Sequence, residues 1–109
     1  MAVDSFQVQL KKGVLELCVL AQLWERDSYA YEIASALAEA IDMGEGTIYP
    51  LMRRMQAEGL VDTYLVESSS GPARKYYRLT KAGKATFAAQ KAEWEQFVAA
   101  VDRVIGRSQ

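Results

Sequence analysis

One stretch, Leu60 to Leu79, changes character in a chain whose other apolar residues recur at steps of three and four. Val61, Thr63, Tyr64, Leu65 and Val66 are strand formers, and Arg74 to Leu79 alternates. Between them, Ser68-Ser69-Ser70-Gly71-Pro72-Ala73 is too polar and too rich in turn residues to enter a core. The stretch therefore predicts one β-hairpin with an exposed tip.

Upstream of the hairpin, Phe6, Leu10, Val14, Leu17, Ala21 and Trp24 share one stripe of a helix over Gln7 to Glu25, and Leu15, Val19 and Leu23 add a second apolar flank. A helix apolar on nearly every side needs burying on nearly every side; in a chain of 109 residues, a second subunit is a partner beside its own core. Arg26-Asp27-Ser28 breaks the pattern, and Ser28 is expected to cap a second helix from Tyr29 to about Ala40. Asp42-Met43-Gly44-Glu45-Gly46 reads as a turn, because two glycines so close together disfavour a continuous helix. A third helix follows, from about Thr47 to Glu58. Its stripe of Ile48, Leu51, Met52 and Met55 faces the core; Gly46, Pro50, Arg53 and Ala57 take the opposite side, flanked by Tyr49 and Arg54. Pro50 places the helix start close by, where backbone N–H groups have no helical acceptor, and Gly59 stops the helix.

Thr80 is expected to cap a last helix from about Lys81 to Ile105. Phe87, Lys91, Trp94, Val98, Val101 and Ile105 repeat there at alternate steps of four and three, the period of a coiled-coil seam. The predicted fold is mainly α with a small β-hairpin: a winged helix-turn-helix over residues 1–80 and a long C-terminal dimerisation helix over 81–109, forming one continuous unit. The seam and the over-apolar first helix predict a homodimer contacting through Phe6, Leu10, Leu17, Phe87, Trp94, Val98, Val101 and Ile105.

Composition narrows the function. The net charge of −1 is not what a DNA-binding protein leads one to expect, but it is unevenly spread. Residues 14–43 carry six acidic side chains against Arg26 alone, whereas residues 44–86 carry seven basic against four acidic. Attraction to phosphate depends on the local field, so the middle of the chain is the place to look. The sequence has no histidine and one cysteine, Cys18, which leaves neither a thiol dyad nor a zinc site, and no glycine-rich phosphate loop occurs. No enzyme activity, metal or cofactor is expected. The apolar run Val14 to Trp24 falls short of the ~20 residues of a membrane span, and the opening residues show no basic-then-apolar leader, so a cytoplasmic protein is expected.

A helix fits the major groove of duplex DNA, and a polar protrusion beside it can hold the adjacent backbone. Arg53 and Arg54 can make bidentate bonds to guanine or contact phosphate, while Thr47 and Tyr49 bring hydroxyls and Pro50 lies on the same outward side. Arg74 and Lys75 at the wing base, with Ser69 in the tip, suit the sugar-phosphate rail. The motifs Ser28-Tyr29-Ala30-Tyr31-Glu32-Ile33, Gly46-Thr47-Ile48-Tyr49-Pro50-Leu51 and Gly71-Pro72-Ala73-Arg74-Lys75-Tyr76-Tyr77-Arg78-Leu79-Thr80 resemble the signatures of PadR-like regulators. Ala30 departs from the glycine common there. The resemblance implies a winged-helix dimer with a C-terminal dimerisation helix, usually a repressor and released by a small effector; one recognition helix per half-site of such a dimer predicts a short pseudo-palindromic operator. It also implies a role for Trp94 in stacking on a flat aromatic ligand; the excess apolar surface between the first and last helices, near Leu17, is where such an effector is expected. The rival reading is a winged-helix protein-interaction or drug-binding module with little DNA affinity.

Overall fold

The computed structural model describes residues 5–106, the side chain of Glu45 excepted, so residues 1–4 and 107–109 of the two segments defined above lie outside it. The elements are α1 (Phe6–Glu25), β1 (Ser28–Tyr29), α2 (Ala30–Ile41), α3 (Glu45–Ala57), β2 (Val61–Val66), β3 (Arg74–Leu79) and α4 (Lys81–Val104). The long helix α4 thus ends one residue before the expected Ile105.

Helix α1 begins where the Ser5 hydroxyl accepts the Val8 N–H at 3.2 Å. Its core face is the second flank expected from the sequence, Leu15, Val19 and Leu23, together with Leu20, which the sequence reading placed on neither flank. Phe6, Leu10 and Trp24 of the longer stripe stay exposed, while Val14, Leu17 and Ala21 are half-buried. With apolar residues on both flanks, helical period alone cannot say which one turns inward; packing against α2 and β3 decides it. Trp24 instead meets Phe87 of α4, ring centroids 5.1 Å apart.

Ser28 does not cap α2. It lies buried in β1, where its hydroxyl donates to the Arg26 carbonyl at 3.2 Å. The N-cap is Tyr29, whose N–H goes to Glu32 Oε1 at 3.2 Å, and Glu32 also pairs with Arg26 at 3.7 Å. At the other end Asp42 takes the left-handed conformation, φ 57°. Its N–H meets the Ala38 carbonyl at 3.0 Å and the Met43 N–H meets that of Leu37 at 3.2 Å, which closes the helix with a paired cap. Lys11 of α1 fastens this turn, reaching the Asp42 carbonyl at 3.2 Å and its carboxylate at 3.6 Å.

Helix α3 starts at Glu45 behind an N-cap at Gly44, two residues earlier than the glycines led one to expect. Gly46 is therefore helical, and Pro50 sits in the second turn and not at the start. Its missing N–H leaves the Gly46 carbonyl without its helical partner. Both residues are exposed, so the missing helical bond lies at the surface, where it costs little. Gly59, at φ 78°, ends the helix as expected, with the Leu60 N–H returning to the Met55 carbonyl at 2.9 Å.

Strands β2 and β3 pair antiparallel from Val61↔Leu79 to Val66↔Arg74, which makes Glu67 to Ala73 the wing loop. The sheet gains a third strand: β1 pairs with β3 at Ser28↔Tyr77 and Tyr29↔Tyr76, giving the order β1-β3-β2. Thr80 caps α4 as expected, accepting the Gly83 N–H at 3.0 Å while donating to the Gly59 carbonyl at 2.7 Å. Gly83 lies flat against Leu60, and a Cβ there would overlap the Leu60 carbonyl oxygen. The core joins the inward face of α1 to Ile33, Ala34 and Leu37 of α2, to Ile48, Leu51, Met52 and Met55 of α3, and to Val61, Tyr77 and Leu79 of the sheet.

Candidate nucleic-acid interface

The inner stripe of α3 is buried, with Ile48 and Met55 wholly inaccessible, which forces its opposite stripe outward. Gly46, Thr47, Pro50, Arg53 and Ala57 are all exposed, and Tyr49 is half-buried at the edge. The small residues Gly46 and Ala57 bracket Arg53, leaving room for close approach by a groove wall.

The two adjacent arginines have different surroundings. Arg53 makes no hydrogen bond or ion pair with another described residue. Arg54 is held at both ends of its fork, by Glu16 of α1 at 3.4 Å and by Glu58 of its own helix at 3.5 Å. Glu16 in turn accepts the Gln90 amide of α4 at 2.7 Å. Sequence spacing placed both guanidiniums on or beside the outward side; it held no information about a carboxylate 38 residues upstream.

At the wing, Ser69, Ser70, Gly71 and Pro72 are exposed and the Ser70 N–H leans on the Ser68 hydroxyl at 3.4 Å. The exposed Arg74 stacks over the Tyr29 ring at 4.7 Å, and Lys75 stands 5.5 Å from the centre of the Tyr77 ring. The outer sheet face carries Tyr29, Tyr76 and Tyr64 in successive ring contacts, with Arg78 over Tyr64 at 5.1 Å. The Tyr64 hydroxyl donates to Asp27 at 2.6 Å, and this bond holds the phenol above its ordinary pKa of 10.0. Sequence reading missed Lys11 and Lys12, which line with Thr47 a groove of about 320 Å³ between α1 and the start of α3. The paired lysines were the available signal.

A second groove, of about 240 Å³, runs between α1 and α4 and brings Leu17 and Trp94 together with Val14, Gln90, Glu93 and Phe97. Of the expected seam, Trp94, Val101 and Ile105 are exposed, Val98 is half-buried, and Phe87 is half-buried against Trp24 of the same chain. Phe97 and Val104, not singled out from the sequence, widen the strip and are 63% and 85% exposed. Burial pushes the Cys18 thiol above its ordinary pKa, which disfavours the reactive thiolate.

A family model for PadR-like transcriptional regulators matches residues 19–89, from the last turns of α1 to the first turns of α4. This chain belongs to the PadR-like family of transcriptional regulators. Solved structures extend the likeness beyond the matched segment. A PadR-like transcriptional regulator from Bacillus cereus is 37% identical, with a TM-score of 0.81 over 89% of this chain and 96% of that one. A PadR family regulator from Eggerthella lenta is 33% identical, with a TM-score of 0.79 over 90% and 87% of the two chains. An uncharacterised protein of Lysinibacillus sphaericus is 30% identical over 84% of this chain and 87% of its own length. This PadR-like chain therefore shares its fold and its DNA-binding regulatory class with its family, whose members are transcriptional regulators and not enzymes. No described helix is long and apolar enough to cross a membrane.

Proposed function

We propose that this PadR-like protein is a homodimeric repressor whose residues 1–80 read a short pseudo-palindromic DNA site and whose residues 81–109 join two copies. One α3 enters the major groove at each half-site, about one helical turn apart. Arg53 supplies the bidentate contact to a base edge; Thr47, Tyr49 and Pro50 line the same approach, while Ser69, Arg74 and Lys75 hold the backbone beside it. Arg54 reaches phosphate only when it leaves its carboxylates. The observation that carries this reading is the outward stripe of α3, with small residues around an arginine that has no hydrogen-bond or ion-pair partner among the described residues.

Dimer formation draws support from the apolar surface that the single chain leaves open on α1 and α4. Phe6 is 75% exposed and Ile105 67%, in line with Leu10, Trp94 and Val101. Leu17, Val98 and Phe87 complete the contact from their half-buried positions. A small planar effector fits the groove between Leu17 and Trp94. At about 240 Å³ on one chain the groove is smaller than the ~300 Å³ at which ligand pockets begin, so the second copy supplies its remaining wall. Filling it changes the angle between the two copies, and so the spacing of the recognition helices.

Selection of bound sequences from random duplexes tests the reading, followed by repetition with Arg53→Ala. The expected result is a pseudo-palindromic preference that the variant loses while it remains folded and dimeric. An unchanged preference would remove Arg53 from the interface. Binding to duplex DNA that does not weaken with salt would favour the protein-interaction reading instead.

A further inference from the structure

We propose that Glu16 withholds Arg54 from DNA, and so sets how many phosphates the recognition helix can neutralise; the proposal rests on the DNA-reading role of α3. Arg54 is the one arginine of α3 with both terminal nitrogens engaged, Nη2 with Glu16 and Nη1 with Glu58. The two carboxylates are not equivalent. Glu58 lies one turn along the same helix, 48% exposed, and such surface partners exchange readily for another anion. Glu16 comes from α1, is only 22% exposed, and has its second oxygen fixed by the Gln90 amide of α4. It is thus an anion built into the protein at a set place beside the recognition helix, with its position determined from two other helices. A backbone phosphate approaching the flank of α3 competes with it for the same guanidinium. Arg53, one residue away, faces no such competitor among the described residues. The neighbouring arginines then divide the work: Arg53 is free to read, and Arg54 contributes only when Glu16 lets go.

The test is the salt dependence of binding to a short mixed-sequence duplex, followed by fluorescence anisotropy across a salt series. Each phosphate neutralised adds about 0.9 to the slope of log affinity against log salt. In the unsubstituted protein, Arg54→Gln should leave the slope unchanged. Glu16→Gln, which keeps the shape and removes the charge, should raise it by about 0.9 and tighten low-salt binding roughly two- to fivefold. In the double variant the gain should vanish. Glu16→Asp, which keeps the charge but is a methylene too short to span from Gln90 to Arg54, should move the slope in the same direction and serves if Glu16→Gln does not fold. A purely structural tie would shift the melting temperature and leave the slope alone. A slope that falls on Arg54→Gln alone, or stays fixed on releasing Glu16 while Arg53→Ala still abolishes sequence preference, overturns the proposal and leaves the DNA reading intact. Absence of any salt-dependent binding by the unsubstituted protein overturns both.

Discussion

Gly83→Ala should destabilise this protein although it replaces glycine by the best helix former inside a helix. In open surroundings that exchange gains about 1 kcal/mol. Here the added methyl would overlap the Leu60 carbonyl oxygen and also stand 3.1 Å from the carbonyl carbon and 3.2 Å from Leu79 Cδ2. The oxygen has nowhere to retreat, because it accepts the Thr80 N–H at 3.1 Å. Moving α4 away strains the bonds Thr80 makes with Gly83 and Gly59, at 3.0 Å and 2.7 Å. Overpacking costs about 1–3 kcal/mol and each weakened hydrogen bond about 1 kcal/mol. Set against the gain in propensity, the net loss is about 2–4 kcal/mol. For a domain of this size that lowers the melting temperature by roughly 10–20 °C. Thermal unfolding followed by circular dichroism, with urea unfolding to confirm the free energy, measures it. A melting temperature equal to or above that of the unsubstituted protein would refute the close approach of α4 to Leu60.

Gly46→Ala is the opposite case: nothing lies within 4 Å of the added methyl, so stability should rise by up to about 1 kcal/mol while duplex binding weakens, because the methyl stands on the approach face. Equal or tighter DNA binding in anisotropy titrations would contradict that placement. Tyr64 holds its proton more tightly when folded, so its bond to Asp27 contributes fully below about pH 10 and is lost as pH rises through the higher folded value. Tyr64→Phe should remove that part of the alkaline decline in the urea midpoint; an identical decline in both proteins would deny the bond its role. Val101→Glu together with Ile105→Glu should raise the dimer dissociation constant by ~100-fold or more in sedimentation experiments, with helix content kept; an unmoved association equilibrium would place the dimer contact elsewhere.

What the sequence disclosed followed from how sharply each element was patterned. The α3 stripe was legible because its polar and apolar sides do not mix: all four inward residues are buried and all four outward ones exposed. The wing and the Thr80 cap were legible from turn chemistry and alternation. Helix α1 was not, because apolar residues on both flanks make its period ambiguous, and only tertiary packing chose Leu20 and Leu23 over Phe6 and Leu10. Strand β1 has two residues, too few for alternation to register, so Ser28 read as a cap. The start of α3 was misplaced because two glycines argue against helix locally, a weak preference that the buried Ile48 and Leu51 override. Arg53 and Arg54 sit side by side in a helical projection, and the tie of Arg54 to Glu16 of α1 was invisible there; Gly83 likewise gave no sign of the backbone it lies against.

The short strand β1 has a mechanical consequence. Two residue pairs, Ser28↔Tyr77 and Tyr29↔Tyr76, stitch the hairpin to the residues that launch α2. The inner part of the hairpin is consequently tied to the helix-turn-helix through β1. On the DNA-reading role proposed above, a duplex seated on α3 would meet Arg74 and Lys75 at a set offset, and the second contact would form at high local concentration without a fresh search. Slackening the stitch would penalise both grips at once, even if every side chain touching the nucleic acid were left as it is.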